Sequence, residues 1–301
     1  MEDSNTMVQS RDDKILRCIA HIILIFLSLC SLVPFLLLVA SSVTSENELL
    51  TSGYTFWPKE FSLDAYHYLF QATGRNILQS YGITICVTLA GTVLSLLITP
   101  MLAYVISRKD YCRRGLLTFM IFFTMLFNGG LVPTYMMYTR IFDIKNTYLA
   151  YIIPGLLVNA FNVLLMKSYF NMNIHPSLVE AAKMDGAGEL KIYFKIILPL
   201  SLPILATIGL MVGINYWNDW INPLYYITEQ DMWSLQSLLN RTLNSIQVLS
   251  QMEGRADTSI NMPGTAARMA IAVIGVIPIM VLYPFFQKYF IKGISLGGVK
   301  E

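Results

Sequence analysis

The stretch "VEAAKMDGAGELKIYFKIILPL", Val179 to Leu200, interrupts a chain that is otherwise largely apolar with Glu180, Lys183, Asp185, Glu189, Lys191 and Lys195. A loop that only joined two apolar segments would need neither this charge nor this patterning. Just before it, Pro176 suits the first position of a helix, residues 178 to 184 are mostly good helix formers, and Gly186 suits a left-handed cap. Beyond the turn, "ELKIYFKII" reads as a second short helix ending at Pro199. Two short helices meeting at a glycine turn make a compact knob. With small Ala181 and Ala182 beside ionic Glu180 and Asp185, it is a shape that a cleft in another protein can grip.

The 301 residues are 55% hydrophobic and 13% charged, too little polar surface for a soluble globule of this size. A bilayer core needs roughly 20 predominantly apolar residues per helix. Six runs meet that length: Ile15 to Ser41, Ile77 to Ser107, Gly115 to Tyr138, Thr147 to Phe170, Leu200 to Asn222, and Ala267 to Ile291. The first follows a charged start and ends near small residues, as a signal peptide does, but its apolar run is too long and reads as a retained span. The expected fold is therefore all-α, a multi-pass membrane protein with six transmembrane helices. Its expected divisions are a segment 1–14, a membrane domain 15–291 carrying the polar loop 171–199 between spans four and five, and a tail 292–301.

Lys and Arg accumulate on the cytoplasmic side of a membrane. With the N-terminus inside, that side receives Arg11, Lys14, Arg17, Arg108, Lys109, Arg113, Arg114, Lys167, Lys183, Lys191, Lys195, Lys288, Lys292 and Lys300, most of the 21 basic residues. Both termini and the knob are expected to be cytoplasmic. The loop around Trp57 and Pro58 then lies outside, where its aromatics fit an interfacial belt. Cys18, Cys30, Cys86 and Cys112 follow no disulfide or metal-ligand spacing and read as small apolar fillers.

Catalytic machinery is missing from the sequence. It contains no G-x4-G-K-[ST] phosphate loop, no H-E-x-x-H, no G-x-S-x-G and no clustered Cys/His pattern, and nothing in it points to nucleic acid. Charged residues within the spans are few, with Lys167 and Asp219 near span ends, which argues against a proton- or ion-coupled carrier. Gly129, Gly130 and Pro133 weaken the third span, and such breaks persist in a membrane only where protein or a cavity satisfies the freed backbone. Asn159 and Asn162, one helical turn apart, read as one polar face on span four, suited to gluing helices together or to touching cargo. Asn215, Trp217, Asn218, Asp219 and Trp220 at the end of span five combine flat rings with amides and a carboxylate, the pairing that sugars favour. A boundary belt explains the same tryptophans. Residues 228 to 268 read as a long loop without a motif.

The pattern E-A-A-x3-G-x9-I-x-L-P is met without gaps by Glu180, Ala181, Ala182, Gly186, Ile196, Leu198 and Pro199, and Asp185, Ala187 and Phe194 extend it. It resembles the cytoplasmic loop of inner-membrane permeases of binding-protein-dependent ABC importers. "AYVISR" (103–108), "WNDWINPL" (217–224) and "GISLGGVKE" (293–301) resemble stretches of the carbohydrate-uptake permeases of the maltose-importer type, and "FNGGLVPTYMM" (127–137) those of the branch that includes alginate importers.

The resemblance implies a permease that pairs with a homologous second permease, two ATP-binding subunits and an extracytoplasmic solute-binding protein, moving an oligosaccharide across the bacterial cell membrane by alternating access. It implies no cofactor bound by this chain, ATP and Mg being used by the partners. It also implies that Glu180 is the ionic anchor in an ATPase groove, that Ala181 and Ala182 allow close approach, and that Gly186 makes the turn. The tail, with Gly293, Gly297, Gly298 and Lys300, is expected to run extended between the ATPases. The same machinery carrying a non-sugar solute, and a gradient-driven carrier, are the competing readings.

Overall fold

The computed structural model describes residues 11–253 and 264–298. All regular elements among them are helical, and one isolated bridge pairs Thr44 with Phe61. The chain divides into two compact units, one of residues up to 72 with 246–274, the other of 73–245 with the remainder.

In the first unit, α1 (Arg11–Ser42) carries the first apolar run, and its side chains from 15 to 34 are exposed. An apolar helix with no protein against it is stable where lipid replaces water. α2 (Glu46–Ser52) begins at a Ser45 cap, whose hydroxyl accepts from the Glu48 N–H. The Glu48 carboxylate accepts the N–H groups of Lys59 (3.0 Å) and Glu60 (2.7 Å), folding the aromatic loop back on α2, and these bonds hold its carboxyl below the usual range.

α3 (Asp64–Ser107) contains the second run, Ile77 to Ser107, in one unbroken helix that Pro100 does not stop. The third run is split. α4 (Arg114–Leu126) and α5 (Leu131–Met136), which a π turn continues to Ile141, meet at 114°. At the corner Gly130 has φ +87°, a conformation glycine adopts without a Cβ clash, and the Asn128 amide oxygen takes the Gly130 N–H at 2.9 Å.

The fourth run is likewise not one helix. α6 (Leu149–Ile152) ends before Pro154 and Gly155, and α7 (Ala160–Asn173) restarts at Asn159. After the knob of α8 (Pro176–Met184) and α9 (Glu189–Ile192), a π turn to Ile197 leads to α10 (Leu198–Leu200). Then α11 (Leu202–Trp217) and α12 (Ile221–Tyr226) form the fifth run, bent 80° from the preceding segment at Ser201. Pro199 and Pro203 lack N–H donors, and the buried Ser201 hydroxyl takes the Ile197 carbonyl at 2.7 Å.

Among the described residues three helices are continuous, long and apolar enough to cross a membrane, or five if each bent pair is one span. The expected loop 228–268 instead contains α13 (Leu235–Glu253), a helix too polar to have shown as a span. α14 (Gly264–Gly298) holds the last run and keeps Gly293, Gly297 and Gly298 helical rather than extended, while Lys300 lies outside the described residues. Helix propagation from the apolar segment adds one backbone bond per residue, and glycine weakens but does not stop it.

Candidate functional site

The knob forms as its residues dictate. The His175 ring caps α8 by accepting from the Ser177 N–H, Pro176 occupies the first turn, and Gly186 takes φ +75° to reverse the chain. Val179 and Ala182 face inward and are buried, whereas Glu180, Ala181, Met184 and Asp185 are exposed. The two alanines therefore differ. Ala181 is free for a close approach from outside, but Ala182 is 7% exposed in this chain's own core, since adjacent helical residues point about 100° apart. Met184, 90% exposed, adds an unexpected apolar side chain to the outer face. Ala187 is half-buried, and Phe194 and Pro199 are exposed.

A polar cluster that sequence reasoning missed ties the knob to α3. The Arg108 guanidinium reaches Asp110 (2.7 Å) and Glu189 (3.5 Å), and the Lys183 ammonium reaches Asp110 (3.2 Å) and Glu189 (2.9 Å). The Tyr104 hydroxyl donates to Glu189 at 2.8 Å. The Arg108 guanidinium beside Asp110 holds its carboxyl far below the usual range, and the Glu189 carboxylate pushes Lys183 up. Only the "SR" of "AYVISR" and the charges of the knob hinted at this, and nothing in their spacing says they meet.

Three helix restarts inside apolar runs make a second group. Asn128 serves one, as above. The Asn159 amide oxygen accepts the N–H groups of Phe161 (2.9 Å) and Asn162 (3.3 Å). One Asp219 oxygen accepts those of Ile221 and Asn222, both at 3.1 Å, and the other takes the Asn222 amide at 2.8 Å. Asn222, also missed, donates to the Pro154 carbonyl at 3.0 Å, linking the breaks of the fourth and fifth runs. Each short polar side chain satisfies donors that a helix start leaves unpaired.

These contacts revise the expected cargo residues. Asn159 and Asn162 do not share a helical face, because Asn159 is a cap outside the helix and Asn162 is buried at 3% exposure. Trp217 is also buried, its indole N–H donating to the Gly275 carbonyl at 3.3 Å, so its ring is not open to a sugar. Asp219 is engaged as a cap. Asn215, Asn218 and Trp220 stay exposed, with Asn218 accepting from Gln236 at 3.5 Å. Among the described residues no group of His, Cys, Asp and Glu is placed to hold a metal ion.

Residues 91–296 match the family described as binding-protein-dependent transport system inner membrane component. The chain is 38% identical to the polygalacturonan/rhamnogalacturonan transport system permease protein YtcP of Bacillus subtilis, over 92% of this chain and 95% of that one. It is 36% identical to the protein LplC of the same organism, over 90% of each chain. Among solved structures, a bacterial ABC transporter involved in the import of the acidic polysaccharide alginate contains a chain that superposes with a TM-score of 0.76 at 31% identity, covering 95% of this chain and all of that one.

Proposed function

Because this chain belongs to the family of inner membrane components of binding-protein-dependent transport systems, we propose that it is one permease subunit of an ATP-driven oligosaccharide importer. It pairs with a second, homologous permease, with two ATP-binding subunits that use ATP and Mg, and with an extracytoplasmic solute-binding protein. Six spans, counting the split third, fourth and fifth runs as one each, would leave both termini on one side, and the Lys and Arg around the knob favour the cytoplasm for it. Domain bounds of 15–291 follow from that count. The relatives YtcP and the alginate importer, both named for saccharide transport, support the cargo.

The observation that carries this reading is the two-sided knob. Glu180, Ala181, Asp185 and Met184 are presented outward while Val179 and Ala182 anchor α8 in the core. A groove on an ATPase that grips the outer face, with Glu180 opposite a basic residue, converts closure of the two ATPases into a pull on the spans behind. The end of α14, with Gly293, Gly297 and Gly298, is in this reading a further contact with the same subunits. Cargo crosses along the broken spans, where Asn215, Asn218 and Trp220 remain open to hydroxyls and rings, and Asn159 and Asp219 hold the breaks in shape.

The test is uptake by the complex, purified with its partners and reconstituted in liposomes. Glu180→Lys and Gly186→Pro are expected to leave the permease assembled in the membrane but to abolish ATP-driven uptake. Normal uptake by both variants, or uptake driven by an ion gradient without ATP, overturns the proposal.

A further inference from the structure

A cavity of about 970 Å³ lies between the end of α3, the start of α4, the end of α7 and α8. It is in the size range of ligand sites. Its lining carries Arg108, Lys109, Arg114, Lys167 and Lys183 against only two carboxylates, Asp110 and Glu180. Arg108 and Lys183 are already neutralised by Asp110 and Glu189. For Lys109, Arg114 and Lys167, no carboxylate among the described residues lies within 4 Å.

Lys167 is the most informative of the three. It is half-buried, and its ammonium bonds to the Thr118 hydroxyl at 3.2 Å, a neutral partner that takes one of three donors and balances no charge. It stands six residues before the end of α7, roughly 9 Å along the axis and three residues from the end of the fourth apolar run. A half-buried ammonium without a counter-charge is costly unless an anion or water reaches it. The facing wall is apolar, with Phe119 and Phe122 projecting from α4, a helix on which no residue is buried. A basic mouth at the level of the helix ends with an aromatic wall running inward matches a lipid with a charged head.

We propose that this cavity binds the phosphate headgroup of an anionic phospholipid, held by Lys167, Arg114 and Lys109, with an acyl chain along Phe119 and Phe122. The site depends on the chain's place in the membrane and not on which cargo it carries. A lipid seated there packs beside α8, so it braces the knob from the membrane side.

The test is retention of phosphatidylglycerol against phosphatidylcholine of the same chain length by the assembled, delipidated complex, read by native mass spectrometry. The wild type is expected to retain phosphatidylglycerol preferentially. The double variant Lys167→Gln/Arg114→Gln is expected to lose roughly tenfold or more of that retention, with phosphatidylcholine unchanged. Lys191→Gln, which removes an exposed charge that does not line the cavity, is expected to change nothing. If the double variant fails to assemble, Arg114→Gln alone, at the exposed start of α4, carries the same comparison. Equal retention of the two lipids, or equal loss in Lys191→Gln, overturns the proposal. So does competition by inorganic phosphate or trigalacturonate as strong as by the lipid, which assigns the site to a soluble anion instead.

Discussion

Tyr104, near the end of α3, donates its hydroxyl to Glu189 at the start of α9, at 2.8 Å and across 85 residues of chain. The same carboxylate receives Lys183 from α8 and the longer contact from Arg108, so one side chain joins a span to both halves of the knob. Surface ion pairs of this kind add little to stability. Their value lies in direction, because a knob pulled by a partner drags α3 with it only while the tie holds.

Glu189→Ala is therefore expected to lower thermal stability only slightly, by about 1 kcal/mol or less, while cutting uptake per ATP several-fold. Glu189→Gln keeps an acceptor for Tyr104 and should fall between. Parallel measurement of uptake and ATP hydrolysis in liposomes decides it. Unchanged uptake per ATP in the alanine variant would show that the knob drives the spans without this tie.

The tie has a defined pH window. Asp110 has its carboxyl depressed by Arg108 from 3.8, so its contribution is complete above that value and is lost as pH falls through the lower, folded-state value. Lys183 is raised from 10.5 by Glu189, so its contribution is complete below 10.5 and is lost as pH rises through the higher, folded-state value. A spin-label distance between positions 107 and 187 is expected to stay constant across the neutral range and to lengthen only in strong acid or strong base. A change near neutrality would place a different titrating group in control.

Gly91 faces the Tyr216 ring so closely that a Cβ would overlap it, and Tyr216 is buried with its hydroxyl fixed on the Ile152 carbonyl at 2.8 Å. The ring cannot swing away without losing that bond. Gly91→Ala is expected to destabilise the fold by about 1–3 kcal/mol and to lower the yield of assembled complex. Gly213→Ala meets only Thr92 at 3.5 Å, an ordinary contact, and should be tolerated. Thermal unfolding of the two purified variants compares them directly.

Asp219→Ala removes the acceptor for two N–H groups at the restart of α12 and the partner of Asn222. A cost of about 1 kcal/mol or more, with loss of uptake, is expected, and Asp219→Asn, which keeps one oxygen, should recover part of both. If Asp219 instead touched cargo through its charge, the asparagine variant would be as inactive as the alanine one in uptake while matching the wild type in stability.

The helical class, the apolar runs and the knob were legible because each rests on neighbours in sequence. Pro176 at a helix start, Gly186 at a left-handed turn and the length of apolar stretches act within a few residues, and those elements lie where local reasoning puts them. The breaks were half-legible. Gly129 and Gly130 announced one, but Asn159 looked like part of a helical face until its oxygen proved to cap the next turn. α13 was hidden because its polar face left no long apolar run to notice.

Hydrophobic lengths and local turn chemistry already specify a helical membrane protein with an E-A-A knob. Long-range packing sets which of Ala181 and Ala182 faces outward, buries Trp217 against α14, and brings Asn222 to the Pro154 carbonyl 68 residues away. The same holds for the sharing of Glu189 by Tyr104, Arg108 and Lys183. Charges and amides carry no address in their spacing. Their partners are set by which helix ends the packed core brings together.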